Sequence, residues 1–171
     1  KVDLKKANKI IRLIKNKYFL SAGNLENLSF ILKISEKLNL NSKILIKTLN
    51  RFKGLKYRQQ IIYENKNLTI INDSKSTSFA SSENILKKFD DVYWIIGGIP
   101  KKGDKFKLSK KKCKNFKVFI FGKYHSQFSK ILKNKVKVKK FKDLYETLKK
   151  VFFEIKKQKN EKNIIFFLNS L

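Results

Sequence analysis

IINDSKSTS, residues 70–78, is the stretch of this chain that decides its fold, and WIIGG follows it at residues 94–98. Each stretch begins as a short apolar run, which is typical of a parallel strand buried on both faces, and ends in polar residues or a glycine turn. In open α/β sheets, ligands bind just beyond the carboxyl ends of such strands. The first stretch places a carboxylate, hydroxyls and an ammonium group at one strand end. This mixture can hold a sugar hydroxyl, a phosphate and an acidic substrate.

Apolar runs alternate with amphipathic stretches from about residue 56 to residue 168. The apolar runs predict five strands, at Leu68–Asn72, Val92–Gly97, Val118–Phe121, Val136–Val138 and Ile164–Leu168. Apolar residues at helical spacing predict three helices between them, at Ser78–Phe89, Ser126–Lys133 and Asp143–Lys157. This alternation predicts an α/β fold with a doubly wound, mostly parallel sheet.

The residues before this alternating region are predicted to be mostly helical. A short helix is expected around residues 10–14, a second over residues 25–38, and a third over about residues 43–52 with Ser42 as its N-cap. Tyr18–Leu20 is a possible strand. We therefore predict two domains, residues 1–55 and residues 56–171.

Charge is the most unusual property of the composition. The 171 residues include 42 Lys and Arg against 13 Asp and Glu, which gives a formal net charge of +29. Nearly all of these cations are lysines spread along the chain, whereas proteins that read bases or phosphates bidentately tend to use arginine. We expect a solvated lysine coat and no specific nucleic-acid partner, and a true polyanion-binding surface stays open as the alternative.

Several classes of protein are disfavoured by residues that are scarce. A single cysteine, Cys113, and a single histidine, His125, provide neither a disulfide framework nor a Cys/His metal cluster, and we expect no metal site. Cys113 is expected to be a buried apolar residue, and His125 to stand at a helix start. No apolar run approaches the roughly 20 residues of a membrane span, and no signal peptide is visible, so a cytoplasmic location is expected. The chain starts at Lys1 and lacks methionine, which we interpret as a fragment or a processed product.

The polar strand ends after Asn72 and Ile96 could be ordinary structural features. Asp73 could cap the next helix, and a GG turn followed by lysines, as in residues 97–104, is a weak signal alone. The sequence contains no dinucleotide fingerprint and no P-loop. A functional interpretation is favoured because the two strand ends are expected to be neighbours in one sheet, where their polar side chains would converge.

Three strings at consistent spacing resemble the Mur ligase family: FKGLKYR at residues 52–58, NDSKST at residues 72–77 and GGIPK at residues 97–101. The NDSKxT string is similar to that of the members that add D-glutamate. GNLEN at residues 23–27 is similar to the HNxxN segment that ends the family's central ATP-binding domain. The resemblance covers about residues 17–168. It implies that the first domain is the end of that central domain and the second a truncated, Rossmann-like, D-glutamate-binding C-terminal domain.

The resemblance also implies roles for individual residues. Those that match ATP-binding residues are Asn24 and Asn27 against the adenine, Arg58 against the nucleotide and Asp73 on its ribose. Lys75 and Thr77 match catalytic residues at the reacting centre, and Thr77 and Lys101 match residues that bind D-glutamate. A dianionic amino acid needs cationic and hydroxyl partners, which agrees with these matches.

For an intact enzyme, the resemblance implies ATP-dependent joining of D-glutamate to UDP-N-acetylmuramoyl-L-alanine, through an acyl phosphate, in peptidoglycan synthesis. ATP and Mg²⁺ would be bound mainly by upstream domains that this sequence lacks. Tyr57 and Gln60 replace the His and Glu of the family's HRxE motif, and Asn169–Leu171 does not match its final Ser-Pro segment. We therefore expect a monomeric, partial ligase that is inactive alone.

Two other hypotheses stay open beside this one. The chain could be a free-standing basic α/β module that binds RNA or another polyanion. It could also be a structural or regulatory relic that binds a partner ligase.

Overall fold

The computed structural model of the protein describes residues 10–20, 22–157 and 164–170. The chain divides into two compact units, Lys1–Gly54 and Leu55–Leu171. This division lies beside the boundary predicted between residues 55 and 56.

The first unit is helical in its described part. It contains a 3₁₀-helix (Lys17–Leu20), α1 (Ala22–Lys37) and α2 (Ser42–Arg51). Its small core is formed by Ile14, Phe19, Leu28, Leu32 and Leu49.

The strand expected at Tyr18–Leu20 is wrong, because these residues form the 3₁₀-helix. Asn16 starts this turn: its side-chain oxygen accepts from the Tyr18 amide at 3.0 Å, and its carbonyl accepts from the Phe19 amide at 3.1 Å. These local bonds outweigh the strand preference of three bulky apolar residues.

The expected N-cap of α2 is also wrong by one residue. The side chain of Asn41, not Ser42, accepts hydrogen bonds from the amides of Lys43 and Ile44, at 2.9 and 3.3 Å. Asn41 has the extended backbone of an N-cap, whereas Ser42 is already the first helical residue.

The second unit is a six-stranded sheet with helices on both faces. Its elements are β1 (Gln60–Glu64), β2 (Leu68–Asn72), α3 (Phe79–Leu86), β3 (Asp91–Gly97), β4 (Asn115–Phe121), α4 (His125–Leu132), β5 (Lys137–Phe141), α5 (Leu144–Lys157) and β6 (Ile164–Ser170). The strand order is β1-β2-β6-β3-β4-β5, with β1 antiparallel to β2 and all other neighbours parallel. The predicted doubly wound, mostly parallel α/β fold is confirmed.

β3 is buried on both faces of the sheet. Trp94 and Ile96 belong to a core cluster with α3 and α4, and Tyr93 and Ile95 belong to a second cluster with α5. All four side chains are at most 2% exposed. A strand buried on both faces reads as a continuous apolar run, which is how the sequence revealed it.

The position of β6 corrects one expectation. β6 pairs with β2 on one side and with β3 on the other, so the strand ends after Asn72 and Ile96 are not neighbours. Strands in a sheet lie about 4.8 Å apart, which places these ends about 10 Å apart with the end of β6 between them. The direct cause is α5, which returns from the edge strand β5 across the second face to the middle of the sheet. β1, at the antiparallel edge of the sheet, was not predicted.

Candidate functional site

Asp73 directly follows β2 and is only 4% exposed. Its Oδ1 accepts from the backbone amide of Gln59 at 3.0 Å, whereas its buried Oδ2 has no hydrogen-bond partner among the described residues. The alternative that Asp73 caps the next helix is wrong, because the Ser78 hydroxyl is the cap and accepts from the Ser81 amide at 3.3 Å. A buried carboxylate oxygen without a partner can accept a hydrogen bond from a ligand hydroxyl or amine.

Burial governs the ionisation of Asp73. It raises the pKa of the carboxyl from 3.8 to about 6, against the lowering effects of the Gln59 amide, the Arg58 charge and the Ser76 hydroxyl. The group is therefore an anion at neutral pH that a hydrogen-bond donor or a further cation would stabilise.

Arg58 lies in a loop, residues 54–59, that is fastened to the end of β2. The Gln59 amide bonds to Asp73, and the Lys75 amide donates to the Tyr57 carbonyl at 3.1 Å. Tyr57 and Gln59 have φ values of 65° and 47°, a left-handed conformation that non-glycine residues adopt only when surrounding contacts enforce it. These bonds explain how Arg58 comes close enough to act on Asp73.

The two departures from the family's HRxE motif have structural roles in this loop. The Gln60 side-chain oxygen accepts from the Tyr57 amide at 3.1 Å. The Lys75 ammonium lies 5.8 Å from the centre of the Tyr57 ring, within the range of a cation–π contact. Tyr57 therefore faces Lys75, although it cannot supply the imidazole of the motif.

Thr77 is held by its neighbours. Ser76 is buried, with its amide bonded to the Asp73 carbonyl at 2.8 Å and its hydroxyl 3.2 Å from that of Ser82. Ser78 caps α3 on the other side. Thr77 itself is exposed, so its hydroxyl is presented to solvent from a fixed backbone.

Lys101 lies in a turn after β3, residues 98–104, which we call the lysine turn. Gly98 and Gly103 have φ values of 98° and 78°, and the Asp104 amide closes the turn on the Lys101 carbonyl at 3.1 Å. Lys101 is exposed. The Asp104 carboxylate accepts from the Phe79 amide at 2.7 Å, which joins the lysine turn to the start of α3, two residues after Thr77.

Gly97 and Gly98 serve different purposes, although they read as one glycine turn. Gly98 supplies the positive φ of the turn. Gly97 is the last residue of β3, where a Cβ atom would lie 2.1 Å from the nearest ring atom of Phe121. The need for glycine at position 97 thus comes from packing between β3 and β4.

Asn24 and Asn27 lie in the first unit, on α1. Asn24 donates to the Tyr18 carbonyl at 2.7 Å, so at least one of its amide hydrogens holds the 3₁₀-helix. Asn27 is exposed. In the second unit, the structure brings Arg58, Asp73 and Lys75 together at β2 and links Thr77 with Lys101 through Asp104.

The structure also bears on the excluded classes. In the described ranges, no group of three or more His, Cys, Asp and Glu side chains could hold a metal ion. Within the same residues, no helix has the length and apolar character needed to cross a membrane. Cys113 is buried, and burial raises the pKa of its thiol to about 11, which confirms the interpretation as a buried apolar residue. His125 is the first residue of α4, as expected.

Solved structures of other proteins share this fold. The chain is similar to a MurF ligase from Thermotoga maritima in complex with ADP, with a TM-score of 0.60 over 88% of this chain and 35% of that one at 16% identity. A MurF from Acinetobacter baumannii gives a TM-score of 0.65 over 87% of this chain and 35% of that one, also at 16% identity. At these identities the likeness shows the fold alone, which is one found in Mur ligases.

Two relatives found by sequence comparison are more similar in sequence to this chain than these solved structures are. No protein-family model matches the chain. The chain is 34% identical, over 161 residues, to the UDP-N-acetylmuramoylalanine–D-glutamate ligase of Prochlorococcus marinus, covering 91% of this chain and 32% of the relative. It is 29% identical, over 143 residues, to the ligase of that name from Wolbachia pipientis, covering 84% of this chain and 28% of the relative. The chain thus spans about a third of the length of these relatives, and the resemblance to the Mur ligases predicted from the motifs is confirmed.

Some residues shape the site in ways that were not predicted. Tyr57 and Gln60 were noted only as departures from a motif, and Gln59 was not noted. All three act mainly through loop geometry, for which the sequence carries no clear signal. Asp104 had a weak signal, because it lies at the end of the GG turn of residues 97–104 and α3 has no acidic residue in its own first turn.

Proposed function

We propose that this chain is the D-glutamate-binding part of a ligase that forms an amide bond at the expense of ATP. The observation that carries the proposal is the NDSKxT string, whose Asp73 lies beside Arg58 at a strand end and has a buried oxygen with no hydrogen-bond partner in the described part of the chain. The similarity to ligases named for D-glutamate supports the same substrate here. Because the chain spans about a third of those relatives, the activity itself would need the other domains.

The nucleotide is assigned to the end of β2. The free oxygen of Asp73 fits a ribose hydroxyl, which needs an acceptor, and Arg58 would contact the phosphates or the adenine side of the same ligand. Asn24 and Asn27 are proposed to lie against the adenine. The ADP complex of the Thermotoga maritima MurF agrees with nucleotide binding in this class of protein.

The amino acid is assigned to the lysine turn and the start of α3. Lys101 would pair with a carboxylate of D-glutamate, and the Thr77 hydroxyl would donate to a carboxylate as well. Lys75, at the adjoining strand end, would offset the negative charge of the phosphorylated substrate. D-glutamate carries two carboxylates and one ammonium group, and Lys101 and the Thr77 hydroxyl supply a cationic and a neutral donor for those carboxylates.

The proposed reaction has two steps. The terminal carboxylate of UDP-N-acetylmuramoyl-L-alanine takes the γ-phosphoryl group of ATP, giving an acyl phosphate and ADP. The D-glutamate amine then attacks that carbonyl, its C–N bond forms, the C–O bond to phosphate breaks, and the amine loses a proton. Lys75 would stabilise the charge that collects on the phosphoryl oxygens.

Mg²⁺ is expected to assist phosphoryl transfer by neutralising charge. The described residues do not fit a Mg²⁺ site, since they contain no suitable cluster of ligands. We therefore assign the ion to the domains outside this chain. A cytoplasmic location and a monomeric state are proposed on the same grounds as the activity.

Kinetics of the chain joined to the remaining domains of a similar ligase would test this assignment. Thr77→Ala and Lys101→Ala should each raise KM for D-glutamate on the order of tenfold or more, with KM for ATP nearly unchanged, because each removes a charged or hydroxyl partner of one substrate. Lys102→Ala is the matched control, because it removes the same charge from the next residue of the same turn. Equal effects on both substrates, or an equal effect of the control, would contradict the assignment.

A further inference from the structure

The segment of residues 98–109 contains no helix or strand, yet it is attached to the fold at several points. Phe106 and Leu108 are each 6% exposed and belong to the main core cluster, with the Phe106 ring 5.4 Å from that of Trp94. The lysine turn lies at the beginning of this segment, farther from these anchors than any other part.

Two side chains connect the segment to α3 in opposite directions. Asp104 comes from the segment and accepts from the Phe79 amide of the helix at 2.7 Å. Glu83 comes from the helix, is 4% exposed, and accepts from the Lys107 amide of the segment. We call this pair of bonds the carboxylate clamp.

Asp104 also satisfies a requirement of α3. The first amides of a helix lack partners inside the helix, and its N-terminus favours a negative charge. The first turn of α3 contains no acidic residue of its own. Ser78 serves the Ser81 amide, and Asp104, from 25 residues farther along the chain, serves the Phe79 amide.

The same carboxylate fixes the turn that carries Lys101. Asp104 is the last residue of that turn and closes it through its amide on the Lys101 carbonyl, while its Oδ1 accepts from the Lys105 amide at 3.0 Å. The helix start that Asp104 holds is two residues from Thr77. One side chain therefore sets the position of one proposed D-glutamate partner relative to the other.

We propose that Asp104 is a positioning residue for D-glutamate, which holds the lysine turn against the start of α3 so that Lys101 and Thr77 face the same substrate. This rests on the proposed function for the identity of the substrate. Asp104 itself need not touch D-glutamate, since both of its carboxylate oxygens accept backbone amides.

Three variants of the 171-residue chain test the role of Asp104. Asp104→Ala removes the Asp104–Phe79 bond of the clamp and leaves the Glu83–Lys107 bond in place. Asp104→Asn keeps a side-chain oxygen that can accept from Phe79, and Asp143→Ala is the matched control. Asp143 is also a helix-capping carboxylate, since its Oδ1 accepts from the Glu146 amide of α5 at 2.9 Å. The measurements are amide hydrogen exchange at Phe79, the melting temperature, and the Kd for D-glutamate with L-glutamate as comparison.

For Asp104→Ala we expect exchange at Phe79 to accelerate, and the Kd for D-glutamate to rise on the order of tenfold, as for a misplaced partner of a bound substrate. Asp104→Asn should keep both the exchange rate at Phe79 and the Kd for D-glutamate close to those of the unaltered chain. Asp143→Ala should lower the melting temperature about as much as Asp104→Ala does. It should leave the Kd for D-glutamate unchanged, because its helix carries no proposed substrate residue.

An unchanged Kd in Asp104→Ala would overturn the proposal, and so would an equal rise in Asp143→Ala. If the unaltered chain bound no D-glutamate, the proposed substrate and the positioning role would both fall, while exchange at Phe79 would still report whether the clamp exists. Failure of the Asp104–Phe79 bond alone would give a different result. The unaltered chain would bind D-glutamate normally, and Asp104→Ala would leave hydrogen exchange at the Phe79 amide unchanged.

Discussion

Asp73 is the residue at which burial and charge oppose each other most clearly. Its environment is apolar enough to raise the pKa to about 6, yet Arg58 and a backbone amide are arranged to favour the anion. Perturbed carboxyl groups of this kind concentrate at functional sites, because the energy needed to keep them charged is recovered when a ligand binds. The charged form of Asp73 therefore makes the fold less stable at neutral pH, where that charge would serve to bind a ligand.

The free energy of unfolding should depend on pH because burial of Asp73 opposes its charge. Folded Asp73 keeps its proton up to about pH 6, whereas the unfolded chain loses it near its ordinary value of 3.8. Between these values the folded state binds more protons, so the contribution of this group is fully present below the lower pKa and is lost as pH rises through the upper one. Asp73→Asn, which keeps an acceptor for Gln59, should exceed the original chain by on the order of 2 kcal/mol at about pH 7 and match it near about pH 3.5.

Urea unfolding followed by the fluorescence of Trp94, the single tryptophan, measures this difference. Because the two proteins share every other carboxyl group, their difference isolates Asp73. A gap that stayed constant from acid to neutral pH would contradict a raised pKa.

At the scale of elements, the strand ends depend on a close contact between β3 and β4. Gly97 leaves the space that the Phe121 ring occupies. Gly97→Ala should destabilise the fold by about 1–3 kcal/mol, as expected when a methyl group is forced into a filled space. Phe121→Leu together with Gly97→Ala should recover part of that loss, although Phe121→Leu alone should destabilise.

Chemical denaturation of the four proteins in this cycle measures the coupling between the two positions. Gly98→Ala is an informative comparison, because Gly98 has a φ of 98° and its replacement strains the backbone instead. Additive effects at Gly97 and Phe121 would contradict the packing explanation.

The sequence predicted elements better than it predicted their arrangement. The run at β3 was recognised because a strand buried on both faces is a continuous apolar run. The run at β2 is only partly buried, and it was recognised because three of its five residues are Leu or Ile. The strand expected at Tyr18–Leu20 was wrong because a single asparagine starts a competing local turn. β1 escaped recognition because QIIYE is short, exposed and separated from β2 by only three residues.

The site was predicted in the same uneven way. Asp73 and Lys75 lie two residues apart in one motif, so their proximity could be predicted without knowledge of the fold. The link between Thr77 and Lys101 was expected from adjacent strands but comes from Asp104, a contact over 25 residues that no local pattern encodes. The sheet order could not be deduced, because apolar runs do not specify their neighbours.

At the scale of the whole molecule, the net charge of +29 governs encounters with any polyanion. Nucleic acid should bind without sequence preference, and raising salt from about 50 mM to about 200 mM should weaken binding by roughly three orders of magnitude. Fluorescence anisotropy with two RNAs of equal length and different sequence measures this. Selective binding that survives the higher salt would favour the RNA-binding hypothesis over the ligase.

The insertion of β6 between β2 and β3 has a consequence for how the molecule is made. Because β6 is the bridge between them, the two halves of the sheet cannot join until residues 164–170 have left the ribosome. Until then, the strand edges of β2 and β3 that β6 covers would be open to pairing with other strands. We therefore expect the two halves of the sheet to join only after β6 has been synthesised.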